Sequence, residues 1–365
     1  MHSLIPFVRT LVIGTVALIG TATSDPASAQ SLADVQTPKA PLVLKNRGSF
    51  YIGGESVELT PPQLSSFLDV PPVEGGHITV NQMYVEFMVP GEVKGSPVVM
   101  LHGSTVTGKS YDTTPDGRMG WYEYFVRQGH PVYVPDQVGR ARSGANLATY
   151  NAVRAGVANP EELGNTWRFA DELVWTNFRF GPSMGAPYAD SQFPSGAAKQ
   201  FSKQAVPDLA GTLPKPDPNV GAMVQLGSEL RGAVLMGHSQ TGNLPLEVAL
   251  AKPAAAKGLV LVEPGFCRST QLTDKDISSL SKIPILVVFG DHLDQTTGIP
   301  GFSWQPAYDD CKSFIARIQS VGGKAQMLYP PDIGIHGNSH MLMLDRNNLQ
   351  IADLILKWIT DNVSD

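Results

Sequence analysis

The sequence predicts an α/β fold: a mostly parallel central sheet, antiparallel strands at its N-terminal edge, and helices on both faces. Three observations carry this. From residue 97 onward, short apolar runs alternate with helix-length amphipathic segments, which is the rhythm of βαβ units. Runs such as Pro97-Val98-Val99-Met100-Leu101 and Gly258-Leu259-Val260-Leu261-Val262 are apolar without alternation, as in strands covered on both faces. The apolar run at 231–236 leads into Gly237-His238-Ser239-Gln240-Thr241-Gly242 and then into a helical stretch at 243–251. A serine therefore stands on a tight strand-to-helix turn, a nucleophile elbow.

Taken in order, the chain opens with a leader. Arg9 supplies a positive charge, an apolar run follows from Leu11 to Ala22, and Ala27-Ser28-Ala29 fits a small-x-small cleavage pattern. Residues 1–29 thus read as a signal peptide, with the mature chain starting near Gln30 and exported to the periplasm or beyond. The run is shorter than the roughly 20 apolar residues that span a bilayer, so no stable membrane anchor is expected. Residues 30–47 read as an extended lead-in. Ser49-Phe50-Tyr51-Ile52 and Ser56-Val57-Glu58-Leu59 read as short strands joined in a hairpin at Gly53-Gly54. Ile78-Thr79-Val80 and the stretch from Gln82 to Val89 continue the β signal as an antiparallel edge.

The parallel part begins with the strand ending at Leu101, followed by His102-Gly103-Ser104-Thr105. A helix over 120–128 buries Trp121 and Phe125, and the strand Pro131-Val132-Tyr133-Val134-Pro135 leads to a supporting turn from Asp136 to Ser143. From roughly 145 to 228 the rhythm breaks. This stretch holds Trp167, Phe169, Trp175, Phe178 and Phe180 and then many prolines, a length and composition that suit an inserted cap rather than a loop. Its aromatics line a substrate pocket or form the cap's own core. After the elbow, strands are expected at 258–262, 284–289 and 325–329, with helices at 307–321 and over Ile351, Leu354, Ile355, Trp358 and Ile359.

Composition excludes several classes. With 365 residues, 42% hydrophobic, the chain can bury a large core, and its net charge of −6 without a basic cluster argues against nucleic acid as partner. The 36 glycines and 29 prolines indicate turns and long loops rather than a helical bundle. The two cysteines, Cys267 and Cys311, are expected to bridge in an oxidising compartment. Such a loop contributes on the order of 4 kcal/mol; two buried free thiols are the alternative.

The chemistry is read from the strand ends. A serine hydroxyl needs a base to take its proton, and the base needs a carboxylate to fix its tautomer. Ser239 is the candidate nucleophile, and His340, with His336 as second choice, the base. The acid is Glu263 or one of Asp291 and Asp294; periodicity and spacing leave this open. The chain order Ser, acid, His is that of α/β-hydrolases. The elbow departs from the usual pattern by placing Thr241 where a glycine is common. Backbone N–H groups of Ser104 and Gln240 are the expected oxyanion donors. His336 and His340 stand four apart, but Gly337-Asn338 disfavours the helix a metal pair would need, so neither a metal nor a cofactor is expected.

Several stretches together carry a resemblance: Asp116-Gly117-Arg118-Met119-Gly120-Trp121, Phe178-Arg179-Phe180-Gly181-Pro182, Gly237 to Gly242, Val262-Glu263-Pro264-Gly265, Val288-Phe289-Gly290-Asp291-His292, His336-Gly337-Asn338-Ser339-His340-Met341 and Asp345-Arg346-Asn347-Asn348-Leu349. They resemble a small family of exported bacterial serine esterases of the α/β-hydrolase superfamily, noted for a glutamate acid after the strand that follows the nucleophile. The resemblance spans nearly the whole mature chain. It implies Ser239 as nucleophile, Glu263 as acid, His340 as base, oxyanion donors at Ser104 and Gln240, a Cys267–Cys311 bridge and a homodimer. One departure stands out: the family's best-known member has two adjacent, mutually bridged cysteines at the oxyanion turn, where this chain has Ser104-Thr105. The implied activity is hydrolysis of small-molecule carboxylic esters through an acyl-enzyme, with an acid limb near the histidine reference pKa of about 6.5. Rivals are an amide, carbamate or polyester hydrolase with the same triad, and a catalytically silent binding protein.

Overall fold

A computed structural model of the chain describes residues 40–65 and 72–364. The leader expected at 1–29, with its cleavage site, lies outside these residues. Eight strands form one sheet: β1 (Leu44–Leu59), β2 (Gly76–Pro90), β3 (Val98–Leu101), β4 (Val132–Pro135), β5 (Ala233–His238), β6 (Ala256–Val262), β7 (Ile285–Val288) and β8 (Ala325–Leu328), in the spatial order β1-β2-β4-β3-β5-β6-β7-β8. Strands β3 to β8 are parallel, whereas β1 and β2 run antiparallel to their neighbours. The main helices, in chain order, are α1 (Trp121–Arg127), α2 (Ala148–Arg154), α3 (Asp171–Asn177), α4 (Ala198–Ser202), α5 (Pro218–Glu229), α6 (Leu244–Ala251), α7 (Asp274–Leu280), α8 (Gln305–Ser320) and α9 (Asn348–Asn362).

The apolar runs split by parity, as period-2 geometry requires. Val99, Leu101, Leu235, Leu259, Leu261, Ile285 and Val287 face a core closed by α5, α6, α7 and α8. Val98, Met100, Val234, Met236, Val260, Val262, Leu286 and Val288 face the opposite core, closed by α1, α9, α3 and α4. Both faces of the central parallel strands β3, β5, β6 and β7 are thus largely dry, which is why these strands carry no polar alternation, whereas the edge strand β8 exposes Gln326.

The N-terminal edge differs from the sequence expectation. The strands at 49–52 and 56–59 are not partners in a hairpin: they are two halves of the single strand β1, paired throughout with β2. Gly53 and Gly54 sit at φ 68° and 89°, and Asn81 on the facing strand at 60°. The pair of glycines bends the ribbon where a reversal was expected, because β2 supplies a register partner on both sides, Gly53 with Gln82 and Glu55 with Val80.

Between β4 and β5 the chain leaves the sheet for helices α2 to α5 and returns with no sheet strand of its own. Cys267, beyond β6, and Cys311, on α8, form a disulfide with Cα atoms 4.9 Å apart. No described helix is long and apolar enough to cross a membrane.

Leu261 lies fully buried at the sheet centre beside the elbow strand. Leu261→Ala is expected to lower unfolding free energy by roughly 2–5 kcal/mol, read from urea denaturation with an unchanged m-value.

Candidate functional site: a serine, a histidine and a buried glutamate at the strand ends

Strand β5 ends at His238, and the next residue reverses hand. Ser239 has φ 59°, a left-handed conformation that a non-glycine residue adopts only when its surroundings impose it. The elbow is tight because its glycines leave no room for a side chain. A Cβ on Gly237 would lie 2.1 Å from the Thr241 carbonyl oxygen, and one on Gly242 2.5 Å from Pro264 Cα. Thr241, the apparent flaw in the motif, is accommodated. Its buried hydroxyl accepts from His238 N–H at 3.2 Å and lies within 3.1 Å of the Leu101 and His102 carbonyls, tying the elbow to the end of β3.

Half-buried Ser239 directs its hydroxyl to His340, with Oγ 2.9 Å from Nε2. On the far side of the ring, His340 Nδ1–H donates to Glu263 Oε2 at 2.8 Å. Glu263 stands just past the end of β6 with φ 51°, so both it and Ser239 occupy left-handed corners at strand ends. Glu263 and His340 are wholly buried. The imidazole is boxed by Trp304, Phe178 and His238, with ring centroids 4.3, 4.9 and 4.8 Å away.

The loop bearing His340 is fixed from two directions. Asp345, buried, accepts from Ser339 N–H at 2.8 Å, Ser339 Oγ–H at 2.7 Å and Asn338 Nδ2–H at 2.9 Å. His238 Nε2–H donates to the His340 carbonyl at 2.9 Å, and burial keeps that second histidine neutral, its pKa pushed down to about 3.

The other candidates from the sequence are placed apart. Asp291 accepts from Gly337 N–H at 3.1 Å and faces exposed His336 at 3.3 Å; Asp294 is exposed. Ser104 and Gln240 flank the elbow, both half-buried. Among the described residues, Asp190, Asp291 and His292 bring possible metal-ligating atoms within 4.8 Å of one another. These side chains sit on a different part of the surface network, already joined by a 3.0 Å contact between Asp190 and His292.

With the geometry in place, the relatives can be weighed. No protein-family model matches the chain. A solved structure described as a novel bacterial esterase superposes with a TM-score of 0.82 at 42% sequence identity, covering 90% of this chain and 99% of that one. The chain belongs to that esterase's family, on the α/β-hydrolase fold. A curated relative, the probable secreted lipase phiG of a fungal species (strain ATCC 74256), is 26% identical over 331 residues, 78% of this chain and 87% of the relative.

Within this α/β-hydrolase site, one residue escaped the sequence reading. Arg179, past the end of α3 and itself at φ 58°, is buried with its Nη2 2.6 Å from Glu263 Oε1. Its Nε–H donates to the Asp291 carbonyl at 2.7 Å. Gly290 N–H also donates to Glu263 Oε1. Burial alone would raise the Glu263 pKa; the Arg179 charge and the His340 hydrogen bond outweigh it and hold the carboxylate well below its ordinary range. For His340, burial is the largest influence and lowers the pKa, the Glu263 contact opposes it, and Arg179 lowers it further; the net shift is downward.

Because the folded Glu263 pKa is depressed, its stabilising contribution is present above the unfolded glutamate value of about 4.3 and is lost as pH falls towards the folded one. Arg179→Met removes the countercharge and leaves a buried carboxylate unpaired. Chemical denaturation at pH 7 is expected to show a loss of roughly 3–5 kcal/mol. The gap between variant and wild type should narrow at about pH 4, where the variant's Glu263 takes up a proton.

Proposed function

We propose that the protein is an exported serine ester hydrolase in which Ser239 is the nucleophile, His340 the general base and Glu263 the acid that orients it. The observation that carries this reading is the unbroken hydrogen-bonded line from the Ser239 hydroxyl through His340 to Glu263, built at the C-terminal ends of parallel strands. Membership of an esterase family supports the same chemistry.

In the proposed cycle, Ser239 Oγ attacks the ester carbonyl while its proton passes to His340 Nε2. The imidazolium is held by Glu263, which stays ionised against Arg179. The carbonyl oxygen takes the negative charge and is stabilised by the Ser104 and Gln240 backbone N–H groups. His340 then protonates the leaving alcohol, the acyl group remains on Ser239, and water activated by the same histidine releases the acid. The positive end of the turn that starts at Ser239 favours the developing anion.

The segment at 145–228 acts as a cap in this reading. It contributes an apolar hollow lined by Val174, Trp175, Phe178, Phe180 and Phe201 together with Val106. Phe178 lines this hollow and also packs against the His340 ring, with centroids 4.9 Å apart. Export through a leader at 1–29 is consistent with the relative named as a secreted lipase.

Three variants test the assignment with a panel of p-nitrophenyl esters, anilides and carbamates. Ser239→Ala is expected to abolish turnover and fluorophosphonate labelling. Glu263→Gln should lower kcat by about 10⁴, as loss of the orienting carboxylate does in other triads. Asp291→Asn should stay within about tenfold of wild type; the reverse ranking of the two acids would assign the role to Asp291.

The pH profile gives a second test. Since burial and Arg179 lower the His340 pKa, the acid limb of kcat/KM is expected below the reference value of about 6.5. A limb centred at or above that value contradicts the buried, Arg179-shadowed imidazole.

A further inference from the structure

The two N–H groups assigned above to the oxyanion are aimed by residues that touch neither the nucleophile nor the base. The Gly103–Ser104 peptide is trans, so its carbonyl and its N–H point in opposite directions. The Gly103 carbonyl is held by converging donors: His102 Nδ1–H at 2.9 Å, Gln137 Nε2–H at 3.2 Å and Arg140 Nη1–H at 3.3 Å. Gly103 also lies directly against the elbow, where a Cβ would come within 2.7 Å of Ser239 Cβ. Fixing that carbonyl on its donors turns the Ser104 N–H away from them.

Arg140 reaches the other donor residue as well. Its Nη2–H groups donate to Gln240 Oε1 at 2.7 Å and to Asp208 Oδ1 at 2.7 Å. The second Asp208 oxygen accepts the Ser104 hydroxyl, and that hydroxyl in turn accepts from Trp167 Nε1–H at 3.1 Å. The Arg140 and Asp208 side chains are 1% and 0% exposed, so solvent ions screen the pair little. A cation beside the Gly103 oxygen also polarises the amide and makes the N–H of the same peptide a stronger donor.

We propose that Arg140, anchored by Asp208, is the positioning residue of the oxyanion hole: it aims and polarises the Gly103–Ser104 peptide and holds Gln240 in the complementary place. This rests on the assignment of Ser104 and Gln240 as oxyanion donors. No atom of Arg140 meets the substrate; it acts through the backbone.

The test compares wild type with Arg140→Lys, the double variant Arg140→Gln/Asp208→Asn, Ser104→Ala and Gln240→Ala. The double variant removes the pair without stranding a buried charge. Two readouts are taken: steady-state kinetics on p-nitrophenyl acetate, and inhibition by an aryl trifluoromethyl ketone. Ser239 adds to that ketone, its proton passing to His340, and the adduct places an oxyanion where the ester's would form. The double variant is expected to lose roughly 10- to 100-fold in kcat, less than removal of a donor outright, with a parallel loss in ketone affinity and KM within about threefold. Arg140→Lys, which keeps the charge but not the fork, should recover part of both.

A folded double variant with kcat and ketone affinity within about twofold of wild type overturns the proposal. Should that variant fail to fold, Ser104→Ala and Gln240→Ala each cut one tether at a half-buried residue. Parallel losses in kcat and ketone affinity support the proposal, and unchanged values overturn it. A wild-type protein inert to both ester and ketone overturns the hydrolase reading and this inference together, whereas active wild type with unchanged variants overturns this inference alone.

Discussion

A guanidinium closed off from water against a carboxylate, Arg179 against Glu263, is the interaction on which the rest of the site depends. A glutamate buried alone would take up a proton, and a protonated acid is a weaker partner for the His340 Nδ1–H. Arg179, paired with Glu263, removes that option. Its Nε–H is used on the backbone carbonyl of Asp291, so the residue at the end of β7 serves as a scaffold through its main chain while its side chain turns outward to the 336–337 loop. The carboxylate that meets His340 comes instead from the end of β6, the strand beside β5.

The same logic operates at the other end of the site. Arg140 and Asp208 form a second buried pair, and it touches the turn after β3 and the residue after Ser239. One member of each pair, Arg179 or Asp208, comes from the stretch between β4 and β5. That stretch therefore covers the sheet and also supplies charge to both halves of the site. Hydrogen bonds to the carboxylate oxygens of both pairs offset part of the cost of burying these ions.

Much of the architecture was legible because parallel strands covered on both faces leave an unmistakable apolar run, as at 258–262 and 284–289. The elbow was legible for the same reason, and its odd Thr241 turned out to be a tether rather than a defect. The N-terminal ribbon was misread at Gly53-Gly54, since a glycine pair signals a change of direction without saying whether the chain reverses or bends. The choice among Glu263, Asp291 and Asp294 was not decidable from spacing, because every candidate ends a parallel strand. The residue that separates their surroundings, Arg179, lies 84 positions from Glu263 in the chain, and Arg140 lies 68 from Asp208. Ion pairs at such separations leave no periodic trace; only the fold brings them together.

That Arg179 and Asp208 both come from the one stretch between β4 and β5 constrains how this stretch can change. In many enzymes a cover over the site can be exchanged freely, because the machinery lies wholly in the scaffold beneath. Here a replacement would carry away Arg179, the counterion of Glu263, and Asp208, the partner of Arg140. Ring and aliphatic side chains inside the stretch are therefore freer to change than these two buried charged residues. The stretch and the buried ion pairs it completes have to be inherited together.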